Sequence, residues 1–98
     1  CFYEIHPHGH IASHCVTGDR GEIKTAWSEN LTGTTNFLGI NNTSLFILDS
    51  SNNSIIELDS ESGKQKNISP LLWPVVRYDM GDNNVIIQTD RKLYLVNI

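Results

Sequence analysis

Four histidines, His6, His8, His10 and His14, fall within nine positions and end against Cys15. In an extended chain His6, His8 and His10 share one face, an arrangement able to ligate Zn²⁺ or Cu²⁺ through imidazole nitrogen. Pro7 and Gly9 stand between them and favour a turn, which leaves the imidazoles in a solvated loop. The loop is the preferred reading, so no metal is expected, and His6, His8 and His10 are the weak candidates for one. Asp79, Asp82, Asn83 and Asn84 form an oxygen-rich cluster of the kind calcium takes, but their spacing lacks the alternating ligands of a calcium loop. Ser13, His14, Cys15 and Asp19 are the set available for nucleophilic chemistry. No Gly-x-Ser-x-Gly elbow accompanies them, and Cys15 reads as mid-strand, where a thiol is buried and inert. No glycine-rich phosphate loop precedes a helix. The chain is therefore expected not to be an enzyme and to need no cofactor.

Composition narrows the partners. The 98 residues suffice for one small domain, 39% of them hydrophobic, with a net charge of −4. No basic block is present to hold phosphates, which argues against nucleic acid. No apolar run reaches the ~18 residues of a membrane helix, so no insertion by this segment is expected. Residue 1 is Cys1 and the only methionine is Met80, so the chain is expected to be processed or cut from something longer. Cys1 and Cys15 can close one disulfide or remain two free thiols. Asn-x-Ser/Thr occurs at Asn30, Asn41, Asn42, Asn52 and Asn67. Turns alone enrich Asn, Ser and Thr together, but the excess leans toward an extracellular or secreted glycoprotein.

The elements that position these residues are strands. Leu45–Leu48 is a short apolar run rich in strand formers. Ile55–Asp59 alternates, with Ile56 and Leu58 on one side and Glu57 and Asp59 on the other. Between them lies the polar turn Asp49–Ser54, and Ser60–Gly63 makes a second turn. The same strand–turn–strand pattern runs from Ile11–Thr17 through Gly18–Gly21 into Glu22–Trp27, and from Val85–Thr89 through Asp90–Lys92 into Leu93–Ile98. The turns centre near Arg20, Asn52 and Asp90, a period of roughly 32 to 38 residues. A further strand precedes each hairpin: Cys1–Ile5, Phe37–Ile40 and Pro74–Tyr78. Gln65–Ile68 can be a fourth, outer strand, and Pro70–Pro74 an extended connector. No helix is expected.

These units, Leu45–Leu58 and Val85–Ile98 above all, resemble β-propeller blades in the general pattern of WD-repeat and quinoprotein-type propellers. The Trp-Asp and Gly-His signatures of WD repeats are absent, so no single family is assigned. The resemblance implies an all-β chain of about three blade-like units, near 1–34, 35–69 and 70–98, with the innermost strands at Ile40, Tyr78 and Phe2–Ile5. Three blades do not close a ring that takes at least four, so the ring is expected to be incomplete. A small β-sandwich of about seven strands is the alternative. In a propeller the loops carrying His6, His8, His10, Asn41, Asn42, Asp79 and Asp82 would lie on one rim with Ser60–Gly63, and would bind another protein. Trp27 reads as core, and Trp73 as packed between blades or exposed on the rim. The expected function is a non-catalytic protein–protein interaction module, completed by the rest of the same protein or by a partner. A self-associating carbohydrate-binding propeller, stacking sugar on Trp73 or Trp27, is one alternative. A propeller segment of an enzyme with its catalytic residues elsewhere is another.

Overall fold

The computed structural model describes residues 1–98 as ten strands with no helix. They pair into three antiparallel sheets. The first joins β1 (Phe2–Ile5), β2 (His10–Thr17) and β3 (Glu22–Asn30). The second is a four-stranded meander of β4 (Thr35–Ile40), β5 (Ser44–Asp49), β6 (Ser54–Asp59) and β7 (Gln65–Pro70). The third joins β8 (Val75–Met80), β9 (Asn84–Thr89) and β10 (Leu93–Asn97). Three antiparallel sheets of this size suit blade-like units and equally a small β-sandwich. Pro70, expected in a connector, is instead the last residue of β7, opposite Ser54. β7 is an edge strand, where proline's missing N–H leaves no ladder bond unmade.

The alternation of side chains along β5 and β6 lets the second sheet pack apolar side chains on both faces. Leu45, Ile47, Ile56 and Leu58 pack against Ile11 and Trp27 of the first sheet. Leu48 and Ile55, with Leu38, pack against Val85 and Ile87 of the third. The second sheet is thus the middle layer of three. Across its strands Lys66 Nζ donates to Ser44 Oγ at 2.7 Å, and Ser44 Oγ donates to Glu57 Oε2 at 2.6 Å, stitching β7 to β5 and β6.

The third sheet repeats the second. β8 and β9 start 40 residues after β4 and β5, at Val75 against Thr35 and Asn84 against Ser44. The turn bonds repeat as well: Asn41 N to Ser44 O at 3.0 Å matches Gly81 N to Asn84 O at 2.8 Å. Ser60 N to Thr43 O at 3.0 Å matches Ile98 N to Asn83 O at 2.8 Å. By these matches β8, β9 and β10 stand for β4, β5 and β6, and the third sheet has no counterpart of β7.

The first sheet repeats with a different phase from the one its sequence suggests. Leu31 N donates to Gly9 O at 2.8 Å, as Leu71 N donates to Asn53 O at 2.9 Å. Gly9 and Asn53 are the matching turn residues, both at positive φ, 106° and 51°. The β2–β3 register shifts after Ser13 and the β6–β7 register after Glu57, at the same place in the ladder. So β1, β2 and β3 stand for β5, β6 and β7. By these matches Phe2–Ile5 corresponds to β5, although in its own three-stranded sheet it is an edge strand paired with β2 alone. The Gly18–Gly21 turn matches Ser60–Lys64, not the turn at Asn52.

Asn53 also anchors the link between sheets. Its Nδ2 donates to Leu71 O at 3.0 Å and Trp73 O at 2.7 Å. Asn53→Ala removes both bonds and puts alanine at positive φ, with an expected loss of about 2–3 kcal/mol in urea unfolding. Asn53→Gly relieves the backbone and recovers part of it; equal stability of all three proteins would show the anchor to be idle.

Candidate functional site

The expected rim residues divide between the two ends of the strands. Pro7 O accepts from Thr35 N at 2.9 Å and His6 O from Thr35 Oγ1 at 2.9 Å, so the His6–Gly9 turn lies where β4 begins. Trp73 lies at the same end, held through Asn53. Asn41 and Asn42 follow the far end of β4, about 20 Å away along a six-residue strand. Ser60 lies with them, its Oγ donating to Asn42 O at 3.2 Å. Asp82 shares that end, in the turn that Ile98 closes on Asn83. The eight residues therefore do not form one rim. Asp79 belongs to no turn at all: it lies in β8 opposite Ile86, which separates it from Asp82 and dissolves the calcium-like cluster.

The histidines gather on the outer face of the first sheet, around a residue that spacing did not single out. Glu4 lies opposite Ala12 on β2 and diagonal to His14. Its carboxylate accepts from His6 Nε2 at 2.7 Å and His14 Nε2 at 2.9 Å. Thr25 Oγ1 holds the other His14 nitrogen at 3.1 Å. His10 Nδ1 is bonded to Asn30 Oδ1 at 2.9 Å. His6 stacks loosely on His8 and His10, with ring centroids 5.2 and 5.7 Å apart. No three of the His, Cys, Asp and Glu side chains are arranged to hold a metal ion.

Hydrogen bonds from His6, then His14, hold the Glu4 carboxyl down at about 2, against an ordinary 4.5. A depressed carboxylate stabilises the fold fully above its ordinary value and loses that effect as pH falls through 4.5 toward about 2. A carboxyl-detected NMR titration is expected to place Glu4 near that low value, and His6→Gln with His14→Gln to return it toward 4.5. A titration near 4.5 in the unaltered chain would show that these bonds do not persist in solution.

Cys1 and Cys15 form a disulfide that continues the Phe2–His14 pairing across β1 and β2. All five sequon asparagines, Asn30, Asn41, Asn42, Asn52 and Asn67, are exposed. Trp27 is unavailable for stacking on sugar. It is buried in the first seam, its ring against Gly63 and its Nε1 donating to Ser60 O at 3.1 Å. Trp73 is half-buried.

The outer face of the third sheet carries exposed apolar side chains. Ile86, Leu93 and Leu95 are 46%, 66% and 63% exposed there. Register places Leu93 opposite Gln88 and Leu95 opposite Ile86, so they share one face. Arg77 Nε donates to Gln88 Oε1 at 2.7 Å across the same face. A shallow groove of about 560 Å³ runs between Arg77, Tyr78, Asp79, Ile86, Gln88 and Leu93. By the repeat, Ile86 and Leu93 stand where Phe46 and Ile55 of the middle sheet pack against the third sheet. The opposite end of the stack differs. Leu45, Ile47, Ile56 and Leu58 are matched on the first sheet's outer face by Phe2, Glu4, Ala12 and His14. Two of those four positions are the polar, hydrogen-bonded Glu4 and His14. Comparison with the middle sheet matches Ile86 and Leu93 to Phe46 and Ile55, which pack in the second seam; their own alternation reads as half-buried strand.

No protein-family model, no curated protein and no solved structure matches the chain.

Proposed function

We propose that this chain is a non-catalytic protein–protein interaction segment of a larger, extracellular β-propeller, in which a further sheet stacks on the outer face of the third. One observation carries the reading. The middle sheet packs apolar side chains on both faces, and its Phe46 and Ile55 positions recur on the third sheet as the exposed Ile86 and Leu93, with Leu95 beside them. An exposed apolar sheet face of this kind marks an interaction surface. The disulfide and the five exposed sequons support a secreted, glycosylated protein. The outer face of the first sheet, with its Glu4–His14 pair, is the polar end of the segment.

Native mass spectrometry and ANS fluorescence test the reading together. The chain is expected to be a monomer that binds the dye, and Leu93→Lys with Leu95→Lys to abolish dye binding while changing stability by no more than about 0.5 kcal/mol per site. A stable homo-oligomer, or a loss of several kcal/mol, would show that the chain already buries this face itself.

A further inference from the structure

We infer that Asn30 and Asn41 are the asparagines that carry N-linked oligosaccharide, and that Asn42, Asn52 and Asn67 stay unmodified. The inference rests on the reading of the chain as a secreted glycoprotein and says which of its sequons that glycosylation uses. The reaction joins asparagine Nδ2 to C1 of a sugar. The C1–O bond to a lipid diphosphate breaks, the lipid diphosphate leaves, and Nδ2 gives one proton to the transferase. The transferase recognises the hydroxyl of the Ser or Thr two residues on, and the acceptor belongs in a surface loop. A sequon whose asparagine and hydroxyl both stay open after folding can be modified at any stage. One whose hydroxyl is buried is lost once the fold closes, and a bulky glycan placed there earlier has to be fitted into the native structure.

Asn41 meets every requirement. It and Thr43 are exposed in the turn between β4 and β5. Its Oδ1 accepts from Thr43 N at 2.9 Å, Ser44 N at 2.8 Å and Thr43 Oγ1 at 3.1 Å. These bonds cap the turn through the oxygen alone and leave Nδ2 without a partner, so a sugar on Nδ2 breaks none of them. Asn30 is built alike. It ends β3, its Oδ1 is bonded to His10 Nδ1 at 2.9 Å, and its Nδ2 is free. Asn30 and Thr32 are both exposed.

The other three each fail at a particular atom. Asn42 overlaps Asn41, but the hydroxyl of its sequon belongs to Ser44, which is buried and bonded to Lys66 Nζ and Glu57 Oε2. Asn52 commits its Nδ2 to the buried Asp49, donating to Oδ2 at 2.7 Å, and its sequon hydroxyl, on Ser54, is buried as well. Asn67 donates from Nδ2 to its own sequon hydroxyl, Ser69 Oγ, at 3.4 Å, and Pro70 follows directly. It also lines a groove of about 360 Å³ with Phe46, Tyr94 and Leu95, where a glycan would stand between the second and third sheets. Neither Asn30 nor Asn41 belongs to the third sheet, so the outer face proposed for a partner carries no glycan of its own.

Expression of the 98-residue chain behind a cleavable secretion signal in animal cells tests the assignment. Enzymatic deglycosylation in heavy-oxygen water marks every asparagine that carried a glycan, and peptide mass mapping locates the marks. Asn30 and Asn41 are expected to be marked in most chains and the other three in few. Thr43→Val removes the Asn41 sequon, keeps both backbone bonds to Asn41 Oδ1 and leaves the Asn42 sequon intact, so one glycan should be lost. Thr32→Val should remove the other. Asn42→Gln should remove none, because Asn41 keeps its threonine. Marking of Asn42, Asn52 or Asn67 in most chains overturns the assignment and keeps the glycoprotein reading. So does the absence of glycan from Asn30 or Asn41 while any other sequon carries one. A chain without glycan at all five overturns both.

Discussion

Trp27→Ala is expected to cost about 3–5 kcal/mol, the largest loss of any single truncation in the chain. Trp27 is the largest buried side chain of the first seam. Its indole lies over Gly63, and Gly63 holds φ +74°, so the turn after β6 presents bare backbone to the ring. The indole N–H and the Tyr3 hydroxyl both donate to Ser60 O, at 3.1 and 3.2 Å. Removing the indole leaves a cavity between two sheets and loosens the turn it clamps. A domain of this size has only about 5–10 kcal/mol in hand, so the variant should be largely unfolded at modest urea. Trp27→Phe keeps most of the ring and loses one hydrogen bond, whose acceptor Tyr3 still satisfies. Its expected cost is about 1–2 kcal/mol. Gly63→Ala should approach the cost of Trp27→Ala, because a Cβ there meets the indole and a positive φ together. Urea unfolding by circular dichroism measures all three. A loss below about 1 kcal/mol for Trp27→Ala would mean that the first two sheets are not packed as described.

Reduction of Cys1–Cys15 should be nearly as damaging. The bridge closes a loop of fifteen residues, for which chain entropy alone gives about 3 kcal/mol. The structure adds a reason for the full effect to appear. β1 pairs with β2 alone, yet it carries Tyr3 and Ile5 into the first seam. Without the bridge, four ladder pairs hold an edge strand on one side only, where local opening is easy. For a domain of this length the loss corresponds to a fall in Tm of at least about 12 °C. Differential scanning fluorimetry with and without a phosphine reductant reads it directly. A Cys1→Ala, Cys15→Ala protein should match the reduced one. A fall below about 4 °C would assign the bridge no part in holding β1.

The strands were legible because each rests on a local cause: short β-branched and aliphatic runs, alternation, and turns rich in Asn, Ser, Asp and Gly. The phase of the first unit was not. Any two neighbouring strands of a meander give the same apolar–turn–apolar pattern, so Ile11–Trp27 can be aligned with either hairpin of the middle sheet. Two long-range bonds, Leu31 N to Gly9 O and Leu71 N to Asn53 O, decide between them. The consequence is large, since it moves the His6–Gly9 turn to the opposite end from Asn41 and Asn42. Glu4 was overlooked for a related reason. Its partners His6 and His14 stand two and ten residues away, and only the β1–β2 register brings His14 alongside. Asp, Gly and Asn crowd the stretch around Asp79, and such residues read as a turn. β8 tolerates Asp79 because the face it occupies is open to solvent. The bare face of the third sheet was hidden in the same way, since Leu93 and Leu95 read like any alternating strand until compared with Ile55 and Glu57 of the buried sheet.

Native-state hydrogen exchange on the 98-residue chain tests the layered stack most directly. Amides of β5 and β6, in strands packed on both faces, should exchange slowest and report the global unfolding free energy. Amides on the outer edge of β10 should exchange through local opening, at least about a hundredfold faster. Equal protection of β6 and β10 would contradict the account, because it would mean that the third sheet is as enclosed as the middle one.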